Sequence, residues 1–168
     1  MDIEIRTLQP GDRDKLAAVD GGNGWNPDPA LWALYLAEHQ ASQRLVVVAW
    51  DGARPLGYGN LVWTPGYPPF REAGIPEINN LGVDAAVRNN GVCTALIGHF
   101  EDRAREAGRM VMGIGVGLYP DYGPAQRLYA KLGYRPDGRG IAYNERTVAA
   151  GETVRLDDDL VLWMTKPL

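Results

Sequence analysis

The opening residues, IEIRTL, alternate apolar and polar side chains, as a strand with one face in a core does. Gly11 and Asp12 lead into DKLAAVD, a short helix. Asp28 and Pro29 supply a cap and a first-turn proline, and Leu31, Leu34, Tyr35 and Glu38 carry a helical period through ALWALYLAEHQ. RLVVVAWDGARPLGYGNLVW predicts a hairpin turning at Asp51 and Gly52. TPGYPPFREAGIP, with Pro65, Pro68, Pro69 and Pro76, has too many prolines for a strand interior and reads as a long, stiff, aromatic-bearing surface loop. EINNLGV is the next strand. Val92, Leu96, Ile97, Phe100 and Ala104 then recur three or four apart, with Glu101, Asp102, Arg105 and Glu106 opposite and Gly108 as the stop. After the strand MVMGIGVGL, a second such helix carries Ala125, Leu128, Tyr129 and Leu132 and ends at Gly133. IAYNERTV and LVLWM, bounded by GRG, Gly151 and the acids Asp157, Asp158 and Asp159, complete the series as strands.

This order has no repeat and no linker. It fits an α/β fold class, a single domain over residues 1–168 with a mixed central sheet flanked by helices. A chain of 168 residues with 45% hydrophobic content can bury one substantial core. Seventeen Lys and Arg against 21 Asp and Glu give a net charge of −4 with no basic run, so no nucleic-acid partner is expected. The single cysteine, Cys93, has no partner for a disulfide, and MDIEIRTLQP lacks the pattern of a signal peptide. LVVVAW is far short of the roughly 20 residues that cross a bilayer. The expectation is a soluble cytoplasmic protein with no membrane partner.

Residues 81–93, LGVDAAVRNNGVC, carry the strongest chemical signal. They read as a buried strand, a tight turn led by Arg88, and a helix from Gly91 whose first amides no side chain obstructs. Unpaired amides and the positive end of the helix dipole make such a junction a cradle for phosphate. It is not a Walker loop, for no GxxxxGK[ST] string occurs. Nor is a Rossmann loop present, since Gly113, Gly115 and Gly117 have Leu118 where a further glycine would have to fall. Glycine inside a strand marks close approach by a ligand or another backbone, or tight packing; Gly82, Gly113, Gly115 and Gly117 leave both readings open.

The sequence Arg88, Asn89, Asn90, Gly91, Val92, Cys93 resembles the pyrophosphate loop of the GNAT superfamily of acyl-CoA-dependent N-acetyltransferases. About thirty residues on, YGPAQRLYAKLGY resembles that family's second signature, a helix ending in LYxxxGY. The resemblance implies a GNAT-like fold whose fourth and fifth strands, here EINNLGV and MVMGIGVGL, splay apart around the pantetheine arm of acetyl-CoA. It implies that Arg88, Asn89, Asn90, Gly91, Val92, Cys93 and Thr94 hold the pyrophosphate. The backbone of Leu81, Gly82 and Val83 would hold the pantetheine and face the thioester carbonyl.

A lysine-like amine, with a pKa near 10.4, must lose a proton before it attacks, and Glu77 matches the family's base. Tyr129 in LYAKLGY matches its general acid, which protonates the leaving thiolate. Each has a plainer reading, an exposed strand-end glutamate and a core tyrosine. Two positions depart from the family. Cys93 stands where glycine or alanine is common, and Tyr122 stands where asparagine contacts the cofactor, so Asp121 or the Tyr122 hydroxyl would have to substitute. An acyl-enzyme route through Cys93 is opposed by the pyrophosphate beside it. His39 and His99 have no metal-spaced partner, and no metal is expected.

The activity implied is transfer of acetyl from acetyl-CoA to a primary amine of a small molecule by direct attack. The alternative is a non-catalytic acyl-CoA-binding sensor or interaction module, and family habit implies a homodimer. GGNGWNP with Trp25, the proline loop with Trp63, Tyr67 and Phe70, and the acids Asp157, Asp158 and Asp159 are candidate walls for the acceptor. Acid and aromatic groups together suit a cationic amine.

Overall fold

In the computed structural model, which describes residues 1–19 and 25–168, the chain runs β1 (Glu4–Thr7), α1 (Arg13–Ala17), α2 (Pro29–Gln40), β2 (Arg44–Asp51), β3 (Arg54–Val62), α3 (Pro68–Ala73), β4 (Glu77–Val83), α4 (Val92–Glu106), β5 (Val111–Gly117), α5 (Gly123–Lys131), β6 (Arg135–Tyr143), β7 (Arg146–Thr147) and β8 (Leu160–Pro167). Its contacts sort into two units, Met1–Val62 with Ile78–Arg103, and Trp63–Glu77 with Ala104–Leu168.

In the first unit the strands lie in the order β1-β2-β3-β4. β1 and β3 both run antiparallel to β2, and Asp51 faces Arg54 across a two-residue turn with Gly52 at φ +58°. β2 is buried on both faces. Val46, Val48 and Trp50 join Leu8, Leu16, Trp25, Trp32, Tyr35, Leu36 and Tyr58 in one cluster, while Val47 and Ala49 are buried on the other side. Each large apolar side chain so covered contributes roughly 1.5–3 kcal/mol. The Asp28 carboxylate accepts the Ala30 amide at 2.9 Å and starts α2 as its sequence predicts.

Three expectations for this unit change. Leu34, part of the helical period read along α2, is 52% exposed, and Trp32, Tyr35 and Leu36 point inward. The Trp32 ring fixes that rotation, packing edge-on against Tyr58 and Tyr35 while its N–H donates to the Asn26 carbonyl at 2.9 Å. Trp25 is no acceptor wall. It is buried, and its indole donates to the Leu16 carbonyl at 3.0 Å; residues 21–24 of the same predicted loop lie outside the described residues. On α4 the predicted apolar face is buried, and Glu101 is buried with it, because it follows Ile97 by one turn and borders Phe100.

In the second unit the strand order is β5-β8-β6-β7. β8 is antiparallel to both β5 and β6. The strand expected from Ile141 begins at Arg135, because the register with β8 shifts between Pro136 and Ile141 without ending the pairing. Gly138 and Gly140, at φ +84° and +78°, let the extra residues bulge out. Residues 64–76, expected as a surface loop, contain α3 instead. Pro68 and Pro69 occupy its first turn, where a missing N–H removes no helical bond. Tyr67 stacks on Trp163 with centroids 4.5 Å apart, and Phe70 meets the same indole edge-on at 5.3 Å. Tyr67 and Phe70 are therefore core rather than acceptor walls.

The glycines of β5 follow from this cluster. A Cβ at Gly113 would lie 2.3 Å from the Phe70 ring, one at Gly115 2.9 Å from Trp163, and one at Gly117 2.4 Å from Tyr122. Tight packing by the chain's own aromatics is the reading that holds for these three.

Candidate active site

In the first unit, the residues between β4 and α4 build the predicted phosphate cradle from local bonds. The Asp84 amide donates to the Leu56 carbonyl at 2.9 Å, and the Asp84 carboxylate accepts the Ala86 amide at 3.0 Å and Arg54 Nη2 at 2.8 Å. The Arg54 hydrogen bond, helped by that amide, holds the carboxyl below its usual range. Asn89 and Gly91 then take left-handed conformations, φ +63° and +84°. A Cβ at Gly91 would touch nothing within 4 Å, so the backbone conformation rather than space calls for glycine there. Asn90 Nδ2 donates to the carbonyls of Val87 and Arg88, at 3.2 and 3.1 Å, closing the turn.

The Gly91 carbonyl accepts the Ala95 amide at 2.9 Å. This is the first bond of α4, which leaves the amides of Val92, Cys93 and Thr94 ahead of the helical ladder with the positive end of the dipole behind them. Arg88 and Thr94 are exposed beside them. Burial pushes the Cys93 thiol up to about 11, so it stays protonated at neutral pH and makes a poor nucleophile.

The end of β4 reaches the same place. A Cβ at Gly57 on β3 would meet the Gly82 carbonyl oxygen at 2.8 Å, Val92 at 3.0 Å and Val83 at 3.3 Å. The candidate pantetheine strand, Leu81, Gly82 and Val83, and the candidate pyrophosphate helix therefore converge on one glycine of β3.

In the second unit, Glu77 is 5% exposed, which removes the reading of an exposed strand-end carboxylate. Beside it the Pro76 carbonyl accepts the Gly113 amide at 2.9 Å. Tyr129 on α5 is 7% exposed, with the Tyr134 ring 6.3 Å away. Tyr122 lays its ring on Gly117 and donates its hydroxyl to Asp158 at 2.9 Å. Tyr119 donates to the same carboxylate oxygen. Burial, and after it the Asp158 bond, raise the Tyr122 hydroxyl pKa. Asp157 accepts the Tyr143 hydroxyl at 3.1 Å. Two of the three acids offered for the acceptor thus have tyrosine partners, and of the aromatic walls Trp63 alone remains outside the core, half-buried.

His39 is structural, its Nδ1 accepting the Val46 amide at 3.3 Å. Among the described residues no three His, Cys, Asp or Glu side chains are grouped to hold a metal, and no helix is long and apolar enough to cross a membrane.

Sequence reasoning passed over Asn80. It sits in the middle of β4 at φ +50°, and its side chain donates to the Tyr35 hydroxyl at 2.8 Å. Two adjacent asparagines in a strand that is otherwise apolar after Glu77 were the available signal, since asparagine is depleted in strands and tolerates the left-handed region.

A family model described as the acetyltransferase (GNAT) family matches residues 16–134. No curated protein sequence matches the chain. Among solved structures it resembles the ribosomal-protein-alanine N-acetyltransferase of Brucella melitensis, at 20% identity and TM-score 0.70, covering 98% of this chain and 99% of that one. It also resembles an N-acetyltransferase of Staphylococcus aureus Mu50, at 16% identity and TM-score 0.71 over 99% of both chains. A third similar structure is an aminoglycoside 6'-N-acetyltransferase complexed with coenzyme A, at 19% identity and TM-score 0.67, covering 98% of this chain and 96% of that one.

Proposed function

The chain belongs to the GNAT family of acetyltransferases, and on that premise we propose that it moves the acetyl group of acetyl-CoA to a primary amine of a small molecule by direct attack. The observation that supports this most is the convergence of Gly82, Val83 and Val92 on Gly57, which brings strand backbone and a helix start to one point. Residues 88–94 would bind the pyrophosphate through backbone amides, with Arg88 adding charge. Leu81, Gly82 and Val83 would bind the pantetheine and stabilise the oxyanion through main-chain N–H groups, at no cost of reorganisation.

Glu77 takes the proton that the attacking amine must lose. Tyr129 gives its proton to the CoA sulfur as the carbon–sulfur bond breaks. A protonated Cys93 thiol supports direct transfer over an acyl-enzyme. The Tyr122 hydroxyl donates to Asp158, and its oxygen would accept from the cofactor in place of the family's asparagine. We read residues 1–168 as one domain, because the family match runs through both units and each unit is made from two pieces of chain.

Thermal unfolding with acetyl-CoA, and with ATP and NAD as controls, tests the cofactor. At about 100 times the dissociation constant, binding adds roughly 2.7 kcal/mol, a shift of several degrees. CoA release is then followed with an aminoglycoside, a polyamine and a peptide bearing a free N-terminus. Release with a small amine supports the proposal, release with the peptide alone moves the acceptor to protein N-termini, and stabilisation without release points to a binding module.

A further inference from the structure

Asn80 interrupts an otherwise extended strand. A φ of +50° in the middle of β4 re-aims the residues that follow it. A kink of this kind persists only where its surroundings hold it.

Three side chains do so. Asn80 Nδ2 donates to the Tyr35 hydroxyl at 2.8 Å. Asn60 on β3, fully buried, points its Nδ2 at the Asn79 carbonyl at 3.5 Å. Tyr35 is itself braced, with Trp32 edge-on at 5.8 Å and the Arg44 guanidinium 5.1 Å over its ring, Arg44 being paired with Glu38 at 2.6 Å. Burial raises the Tyr35 pKa, and the Asn80 hydrogen bond acts against that. Asn60 Oδ1 is buried with no hydrogen-bond partner. The bonded end of this amide is therefore its nitrogen, which faces the Asn79 carbonyl. Past the kink, Gly57 and Gly59 leave room for what β4 delivers: a Cβ at Gly59 would lie 2.7 Å from the Leu81 side chain and 2.9 Å from Phe100.

We propose that Tyr35, Asn60 and Asn80 are positioning residues, a clamp that fixes the backbone of Leu81, Gly82 and Val83 in the direction acetyl-CoA requires. The functional half of this inference rests on the acetyl-CoA reading above. The clamp itself rests on the kink and its bonds.

Three variants separate the parts. Tyr35→Phe keeps the ring and removes the hydroxyl. Asn80→Gly tolerates the positive φ and removes the tether. Asn80→Asp tolerates the same φ and can accept the Tyr35 O–H, restoring a bond with donor and acceptor exchanged. In the ligand-free protein, hydrogen exchange at the amides of residues 81–83 should quicken about ten-fold in the first two variants and return towards wild type in the third, with little change in Tm. With acetyl-CoA, kcat should fall about ten-fold while KM for the acceptor holds, as a small misplacement of catalytic backbone predicts. Unchanged exchange overturns the clamp. So does exchange that quickens uniformly along the chain with a matching fall in Tm, which would make the three residues ordinary packing. If wild-type protein gains no stability from acetyl-CoA yet the local exchange effect appears, the clamp stands and the acetyl-CoA reading alone is overturned.

Discussion

On β3 a Cβ at Gly57 would meet the main-chain oxygen of Gly82 at 2.8 Å, whereas on β5 a Cβ at Gly113 would run into the Phe70 ring at 2.3 Å. Both strands carry glycine at alternate positions, Gly57 and Gly59 on β3 and Gly113, Gly115 and Gly117 on β5. In the first unit the missing side chains let a neighbouring strand and the start of a helix come close, so the chemistry assigned there belongs to the backbone. In the second they make room for Phe70, Trp163 and Tyr122, and the chemistry assigned there belongs to side chains, Glu77 and Tyr129. Glycine in a strand therefore signals close approach without saying by what. The approaching atom decides whether ligand or packing is the better reading.

The comparison can be broken most sharply at Gly113. Gly113→Ala should cost about 3 kcal/mol, at the upper end for overpacking, because the buried Phe70 ring has nowhere to yield. Urea denaturation checks this, and adding Phe70→Leu should recover much of the loss, the two changes being non-additive. Independent, additive effects would mean that the ring is not what Gly113 accommodates.

On the side-chain half of the comparison, Tyr129→Phe should lower kcat about 10²-fold with acetyl-CoA binding little changed. Equal loss of both would return Tyr129 to a packing role. Glu77→Gln should lower the rate at neutral pH by a similar factor and recover as rising pH supplies neutral amine. A ratio of rates that does not vary with pH would remove Glu77 as the base.

The backbone half is sharpened at Gly57. Gly57→Ala should cost about 2 kcal/mol and abolish the stabilisation by acetyl-CoA, because the obstructed atom is main chain. A retained ligand shift would show that this close approach serves the fold alone.

The smallest effect lies outside both glycine regions. Burial pushes the Asp12 carboxyl up, but the Arg6 bonds at 2.7 and 2.8 Å and the Gln9 amide at 2.9 Å outweigh it, leaving a lowered pKa. A carboxyl depressed in the folded state stabilises above its unfolded pKa, near 4, and that contribution is lost as pH falls through the folded value. Asp12→Asn should lower Tm modestly at neutral pH and flatten its fall below about pH 4.

Much of the geometry between β4 and α4 was legible because its signals are local. The turn there has a glycine with positive φ, an asparagine that closes on nearby carbonyls, and helix amides ahead of the ladder, all within residues 84–95. β4 was expected at EINNLGV and runs from Glu77 to Val83. The proline segment misled for an equally physical reason. Proline breaks strands but also starts helices, and what folds α3 inward is Trp163, far along the chain. Glu101 was put in solvent because its charge outweighed its position, one turn after Ile97, on the buried face.

By itself the sequence determined the order of elements apart from α3 and the start of β6, the helix start at residues 91–94 and the two family signatures, since each rests on bonds or periodicities spanning a few residues. Only the tertiary structure decided that Glu77 is buried, that the β5 glycines hold aromatic rings, and that Tyr35 and Asn60 brace the kink at Asn80. These are contacts between residues distant in the chain, and no local pattern encodes which of several glycines, asparagines or aromatics will meet once the strands have paired.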